Sequence, residues 1–341
     1  MKSIKVGING FGRIGRAFFK VASKRPELDI VAVNDIGDVR NVAYLLKYDS
    51  AYHSWDAKID IVDDQTFSVN GKKIRYISEK EPTKLPWKSL GIDVVVESSG
   101  LFTSFDKAQM HIKAGAKRVV ISAPAKDEPP EGIAGATVLM GVNEEKLSTC
   151  EISSNASCTT NAASPLIAIL HEKIGIEKAV LNTVHGYTAS QSLVDAPNKK
   201  DMREGRAAAV NIVPSSTGAA IAVTKAFPAL AGLFDGISMR VPVLTGSIVD
   251  VTFIAQRATS KEEVNQILSA AASEARWKGI FGVTNDPIVS SDIIGLSLAS
   301  LADLAFTRVV GGTLVKVMAW YDNEMGYTHT LVDHVIRAGL Y

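Results

Sequence analysis

The spacing of apolar residues divides the chain into two textures. Residues 4–9, Ile-Lys-Val-Gly-Ile-Asn, form a short apolar run that predicts a strand, and Ala17, Phe18, Val21 and Ala22 then recur at helical spacing. Residues 29–34 return to the strand pattern and stop at Asp35. Residues 67–77 predict a hairpin turning at Asn70-Gly71, a pair suited to the positive φ angles of a tight turn. Residues 92–97 predict a buried strand, Ser104 a cap for a helix running to about Ala114, and residues 117–122 and 137–142 two further strands. The segment between those last two, 123–131, is rich in proline and charge and is expected to be exposed.

Past residue 157 the pattern changes. The apolar run from Pro165 to Leu170 has helical spacing. Residues 178–184 predict a strand that delivers His185 at its end. A polar stretch from Gly186 to about Arg206 has little periodicity, and a loop of that length is usually functional or an interface. Residues 237–243 and 247–255 read as antiparallel strands. Ser260 with Glu263 forms a capping box for an amphipathic helix to about Trp277. Residues 306–321 predict a hairpin across Gly311-Gly312, and a last helix follows to about Arg337. Strand–helix alternation followed by antiparallel strands predicts an α/β chain, with a Rossmann-type dinucleotide-binding domain and a separate α+β catalytic domain whose sheet is mostly antiparallel.

Composition narrows the function classes. Of 341 residues, 46% are apolar and 21% charged, enough to bury sizeable cores. A formal net charge of +1 predicts neither a nucleic-acid partner nor a membrane surface. The pairs Lys72-Lys73 and Lys199-Lys200 read as solvated faces. The first residues enter a strand pattern at once, without the apolar core of a signal peptide, and no uncharged stretch reaches the ~18 residues of a membrane span. The only cysteines are Cys150 and Cys158, so no disulfide framework is expected and a cytoplasmic location is. No metal site is expected, and the Asn155-Ala-Ser157 sequon carries no weight without secretion.

Two stretches carry chemistry. Gly10-Phe-Gly12-Arg13-Ile14-Gly15 lies between a predicted strand and a predicted helix, the context a dinucleotide fingerprint requires. Gly10 permits the tight turn, Gly12 lets backbone approach a pyrophosphate, and Gly15 lets the helix pack close. Asp35 follows Gly15 at about the 20-residue spacing of a ribose-binding carboxylate. Its charge repels a 2′-phosphate, so NAD is preferred, while Arg40 nearby leaves NADP use open. Residues 98–102, outside the carboxyl end of a parallel strand, form a natural cofactor-contact loop. In the second stretch, Ser157-Cys158-Thr159-Thr160-Asn161, a cysteine among small polar residues sits at a predicted helix N-terminus. Free N–H groups and the macrodipole there favour a thiolate.

The residues resemble phosphorylating glyceraldehyde-3-phosphate dehydrogenase over essentially the whole chain. The likeness is carried by residues 6–16, 157–161, His185-Gly-Tyr-Thr188, the 211–220 segment, Arg240-Val-Pro242 and residues 320–327. It implies an NAD-binding domain over 1–157, completed by 323–341, and a catalytic domain over 158–322. It also implies a cytoplasmic homotetramer, with the loop after Tyr187 buried between subunits. Cys158 would be the nucleophile that forms a thioester, and His185 the acid–base, acting also as a charged partner that lowers the thiol pKa. The substrate would be glyceraldehyde 3-phosphate and the acyl acceptor inorganic phosphate. Thr188 and Arg240 match the site for the substrate's phosphoryl group. Ser157, Thr217 and Gly218 match the site for the attacking phosphate, with Thr159 and Arg203 as further candidates. For the cofactor the likeness assigns Arg13, Ile14, Asp35 and Ser122, with Asn323 on the nicotinamide carboxamide and Tyr327 near that ring.

Several positions depart from the family pattern. Ala162 stands where a second cysteine is common, Glu204 where many members have an arginine, and Ser190 where Asp is common. A carboxylate cannot bind phosphate, so Arg203 or Arg206 is expected to compensate, or phosphate affinity to fall. Ala196 weakens the case for exclusive NAD use, and residues 52–55 also differ. Two rival readings remain at this stage: an erythrose-4-phosphate dehydrogenase, and an NAD-binding interaction protein without catalysis.

Overall fold

The first apolar run forms strand β1 (Ile4–Asn9) and the helical repeat after it forms α1 (Arg13–Ala22) in the computed structural model, which describes residues 3–199 and 201–341. Lys200, expected on a solvated face, lies outside the described residues, and Lys199 is exposed. There follow β2 (Leu28–Asn34), α2 (Val39–Lys47), β3 (Ile59–Asp63), β4 (Thr66–Val69), β5 (Lys72–Ile77), α3 (Trp87–Leu90), β6 (Val94–Glu97), α4 (Phe105–Lys113), β7 (Arg118–Ile121), β8 (Gly135–Thr137) and β9 (Ile152–Ser154). Among the described residues these strands form one sheet in the order β3-β4-β5-β2-β1-β6-β7-β9-β8. The strands from β5 to β8 along that order pair in parallel. The β4–β5 hairpin turns at Asn70 (φ 50°) and Gly71 (φ 84°), the doubly left-handed turn its sequence predicts. Val94, Val95 and Val96 are fully buried, as a parallel strand covered on both faces requires. Because β2 and β6 flank β1 on opposite sides, the order reverses at the carboxyl end of β1, where dinucleotides bind in such sheets.

Two expectations for this half need correction. The strand predicted over 137–142 is only β8, ending at Thr137. Gly141 takes a left-handed φ of 76° and lies under the Trp277 ring, where a Cβ would come within 3.0 Å, so the chain cannot stay extended. The 123–131 segment is largely half-buried rather than exposed. Asp127 within it accepts from the N–H groups of Phe105 (2.7 Å) and Asp106 (3.1 Å), capping α4 together with Ser104.

The second sheet is built from β10 (Ile176–Gly186), β11 (Val213–Ser216), β12 (Phe234–Val241), β13 (Ser247–Ala255), β14 (Phe281–Thr284), β15 (Ser300–Asp303), β16 (Arg308–Val310) and β17 (Leu314–Tyr321). Helices α5 (Cys158–Ile174), α6 (Ala219–Ala226) and α7 (Lys261–Ala272) accompany it, and α8 (Met325–Gly339) ends the chain. Its order is β11-β12-β10-β13-β17-β15-β14, with β16 also on β17. Strands β12 and β13, expected from the sequence as an antiparallel pair, do not touch, because β10 lies between them. It pairs in parallel with β12 and antiparallel with β13. Alternation along β13 places Val249, Val251 and Phe253 on the buried face. Of the Ser260/Glu263 box, only one half forms. Ser260 accepts from the Glu263 N–H, while the Glu263 carboxylate turns to Arg257 and Thr259.

Contacts divide the chain into two units. The first takes in the described residues of Met1–Val138 with Asn143–Ala156 and Thr328–Tyr341; the second takes Leu139–Val142 and Ser157–Tyr327.

Candidate active site

Helix α5 begins earlier than its apolar run suggests. Ser157 is its N-cap, accepting from the Thr160 N–H at 3.1 Å, and Cys158 is the first helical residue. Pro165 lies inside the helix, where a proline costs roughly 3 kcal/mol. Burial of Leu166, Ile167, Ile169 and Leu170, at roughly 1.5–3 kcal/mol each, outweighs that. Ala156, just before the cap, holds a left-handed φ of 54°, a costly conformation for a residue with a Cβ.

The second sheet brings the rest of the site to Cys158. His185 on β10 is in register with Arg240 on β12 and with Ser247 on β13, and Ser247 is in register with Tyr321 on β17. These four form one row across four strands. His185 Nε2 lies 3.4 Å from Cys158 Sγ. On its far side Nδ1 is 2.6 Å from the Gly186 carbonyl oxygen and 2.7 Å from Nη1 of Arg240. Tyr321 packs edge-on to the His185 ring at 5.9 Å, and its hydroxyl bonds Thr159 (2.9 Å) and Thr183 (2.7 Å).

Charge in this row is not what the sequence leads one to expect. Burial, then the Arg240 cation, lowers the pKa of His185 from 6.5 to about 3. Both effects act against the charged imidazole expected as the thiol's partner. Burial also raises the Cys158 thiol pKa. Arg240, the Thr159 hydroxyl and the backbone N–H groups of Thr159 and Cys158 oppose that rise without overcoming it. The helix terminus favours a thiolate as anticipated, but desolvation is the larger effect in this state.

The candidate anion ligands lie in the same unit. Thr188 Oγ1 is 3.0 Å from Ser190 Oγ, and the Thr188 N–H donates to Gln191 Oε1 at 3.3 Å. Arg240 Nε has no partner, although it is buried. Thr217 Oγ1 accepts from the Ala219 N–H at 3.2 Å, and Gly218 caps α6 with open space where a Cβ would stand. The Thr159 hydroxyl lies 2.9 Å from the Tyr321 hydroxyl, and the Thr159 backbone N–H lies against the Cys158 sulfur. Glu204 accepts from Ser215 Oγ at 2.9 Å, Arg206 pairs with Asp195 at 3.0 Å, and Arg203 is exposed. Asn323 Oδ1 accepts from the Gly246 N–H at 2.9 Å, which orients the side-chain amide. The Asp322 carboxylate fixes that turn by accepting from Gly295, Glu324 and Met325. Tyr327 is buried. Tyr321, Ser247 and Gln191 were not legible as site residues, because only strand register and the fold of the loop place them here.

In the first unit the glycine turn fits a dinucleotide. Gly10 holds φ 89°, and a Cβ there would lie 2.4 Å from the Ser99 backbone. A Cβ on Gly15 would strike the Gly10 carbonyl at 2.2 Å, whereas Gly12 faces open space, as a pyrophosphate approach requires. Arg13 and Ile14 are the first two residues of α1, at the terminus where helix N–H groups point toward an anion. Arg13 also pairs with Asp49 at 3.2 Å. Asp35 Oδ2 accepts from the Phe11 N–H (2.7 Å) and Oδ1 from the Gly37 N–H (2.9 Å), so it braces the turn while keeping lone pairs for ribose hydroxyls. Ser122 follows β7, its N–H bonded to the Glu97 carbonyl at 2.9 Å.

A capped thiol, a histidine in reach and an unpaired guanidinium nitrogen, in a chain that also carries a dinucleotide fold, are the equipment of a thiol-dependent dehydrogenase. Residues 4–105 match the family model of the glyceraldehyde 3-phosphate dehydrogenase NAD binding domain, and residues 157–323 that of its C-terminal domain. The chain belongs to the glyceraldehyde 3-phosphate dehydrogenase family. It is 46% identical over 340 residues to the glyceraldehyde-3-phosphate dehydrogenase of Streptomyces coelicolor, covering 99% of each chain. It is 46% identical to that of Geobacillus stearothermophilus, covering 97% of each. Against the Thermotoga maritima enzyme it is 47% identical, over 96% of this chain and 97% of the other.

Proposed function

We propose that this chain oxidises glyceraldehyde 3-phosphate to 1,3-bisphosphoglycerate, using NAD and inorganic phosphate, through a thioester on Cys158. The observation that carries this reading is the 3.4 Å approach of Cys158 to His185, with Arg240 next in the same row. Cys158 sulfur adds to the aldehyde carbon, and the aldehyde oxygen becomes a hydroxyl. His185 takes that hydroxyl proton as the carbonyl re-forms. NAD, when bound, supplies the acceptor for the hydride that leaves the same carbon. A phosphate oxygen then attacks the thioester carbon, the C–S bond breaks, and the sulfur departs as thiolate. The Cys158 N–H at the α5 terminus stabilises the oxyanion of each tetrahedral state.

The reading assigns cofactor binding to residues 1–157 with 323–341, and chemistry to 158–322. Arg240 and Thr188 hold the substrate's phosphoryl group; Ser157, Thr159, Thr217 and Gly218 hold the attacking phosphate. Arg203, exposed and uncommitted, supplies charge that Glu204 cannot. Asn323 holds the carboxamide, and Gly10, Gly12, Arg13, Ile14, Gly15, Asp35 and Ser122 serve the dinucleotide.

We further propose a homotetramer located in the cytoplasm. Val180, Ile237 and Leu314 lie on the exposed face of β10, β12 and β17, where a second copy of the chain would cover them. No helix among the described residues is long and apolar enough to cross a membrane.

The test is steady-state NADH formation with glyceraldehyde 3-phosphate or erythrose 4-phosphate, with and without phosphate. Phosphate-dependent turnover of the three-carbon substrate is expected. Faster, phosphate-independent oxidation of the four-carbon sugar would instead identify a thioester hydrolase.

A further inference from the structure

Among the described residues, two buried side-chain nitrogens of the second unit have no partner: Nε of Arg240 and Nε2 of Gln191. Gln191 is only 9% exposed, so its orphan amide N–H groups cost free energy unless an acceptor reaches them. The turn that carries it fixes the orientation of that amide. The Gln191 backbone N–H donates to the Thr188 carbonyl at 3.0 Å, which closes residues 188–191, and the Thr188 N–H donates to Gln191 Oε1 at 3.3 Å. A backbone N–H needs an acceptor, so the oxygen must face Thr188 and the NH2 end is left over. The same turn carries the hydroxyls of Thr188 and Ser190, 3.0 Å apart. It begins three residues past His185, which is in register with Arg240. The Tyr187 N–H donates to the Val243 carbonyl at 3.0 Å and so keeps the turn beside the segment that follows β12.

We infer that Gln191 is a further ligand of the substrate's phosphoryl group, with its Nε2 donating to a phosphoryl oxygen. The inference rests on the proposed assignment of Thr188 and Arg240 to that group. Residues 187–191 are Tyr-Thr-Ala-Ser-Gln, so the turn offers hydroxyls and an amide but no carboxylate to repel an anion. Phosphoryl oxygens only accept, and a phosphomonoester has three of them, enough for a guanidinium, a hydroxyl and an amide together. The amide is neutral. It therefore adds direction to the site rather than charge, and so sets where the phosphoryl end comes to rest. Through that end it sets how the aldehyde carbon is presented to Cys158. One side chain thus does two things: Oε1 holds the Thr188 backbone, and Nε2 completes the site that Thr188 opens.

Two variants of the intact enzyme separate these roles. Gln191→Met removes both the acceptor and the donor. Gln191→Glu keeps an oxygen for the Thr188 N–H and removes the NH2 group. Each is assayed with glyceraldehyde 3-phosphate and with glyceraldehyde, which lacks the phosphoryl group, and NAD binding checks that each is folded. In Gln191→Met, kcat/KM for the phosphorylated aldehyde is expected to fall about tenfold more than that for glyceraldehyde, with the loss larger in KM than in kcat. Gln191→Glu should be weaker still toward the phosphorylated aldehyde. If Gln191 only held the turn, Glu would restore what Met loses, and that result overturns the inference. Equal losses on the two aldehydes also overturn it, because the nitrogen then serves water or another subunit. Inhibition by glycerol 3-phosphate, which carries the phosphoryl group but no aldehyde, is measured in parallel. Absence of competition in the wild type rejects the phosphoryl-site assignment and the inference with it. Competition of undiminished strength in Gln191→Met rejects the role of Gln191 alone.

Discussion

The sulfur of Cys158 stands 3.4 Å from Nε2 of His185, one at a helix N-terminus and the other near a strand end. A hydroxyl in place of the thiol keeps the packing but not the nucleophile. Cys158→Ser is expected to retain NAD binding and to lower turnover to below about a thousandth. His185→Asn removes the base and should lower kcat by about 10²–10⁴. Both are checked by stopped-flow turnover beside cofactor titration. Turnover persisting in Cys158→Ser would falsify the nucleophile assignment.

Gly10 and Gly12 make a contrasting pair. A methyl at Gly10 meets the Ser99 backbone at 2.4 Å from a left-handed conformation, whereas one at Gly12 meets nothing within 4 Å. Gly10→Ala should therefore lose both folding stability and NAD affinity. Gly12→Ala should keep the wild-type urea midpoint and lose affinity alone, because only a bound pyrophosphate would meet its methyl. Equal midpoints for the two variants would contradict this account.

Glu97 is a buried carboxylate at the end of β6, and its oxygens accept from four donors. Asn9 Nδ2 (2.6 Å) and His111 Nε2 (2.9 Å) meet Oε2; the Ser99 N–H (2.8 Å) and hydroxyl meet Oε1. Trp87 Nε1 donates to His111 Nδ1 at 3.1 Å, which fixes the ring proton on Nε2. Glu97→Gln turns an amide NH2 toward donors. It is expected to cost about 1–3 kcal/mol in denaturant unfolding and to weaken NAD binding through Ser99, which packs on Gly10. Unchanged stability would mean that this network is not satisfied as described.

Acid should destabilise the protein through buried histidines. His185 and His334 are both held at a pKa of about 3 against 6.5, chiefly by burial. Between those values the unfolded chain binds protons that the folded one refuses. Their contribution is complete above about pH 6.5 and falls as pH drops toward 3, by about 1.4 kcal/mol per pH unit for each histidine. His334 bonds Ser153 (2.7 Å) and Asn155 (3.0 Å) and stands apart from the proposed chemistry. His334→Gln should be less stable at pH 7 but show a shallower decline of the urea midpoint between pH 6 and 4. Parallel declines would reject the assignment.

Much of this was legible along the chain. The glycine fingerprint lies between strand and helix, the Asn70-Gly71 turn takes its left-handed form, and Cys158 opens a helix, because backbone sterics and capping act over a few residues. The period of apolar residues likewise sets which face of a strand is buried. It does not say which strand lies beside which. The sequence places 237–243 next to 247–255, yet β10 runs between them, and that insertion brings Arg240 into register with His185. The charge on His185 was equally out of reach. A histidine at a strand end reads as an acid–base group, but its proton depends on burial and on a cation 55 positions away in sequence. Sequence determined the local elements and the chemical types present, because those follow from short-range geometry. Tertiary structure alone decided neighbours and protonation, because both depend on long-range pairing and on the water that folding removes.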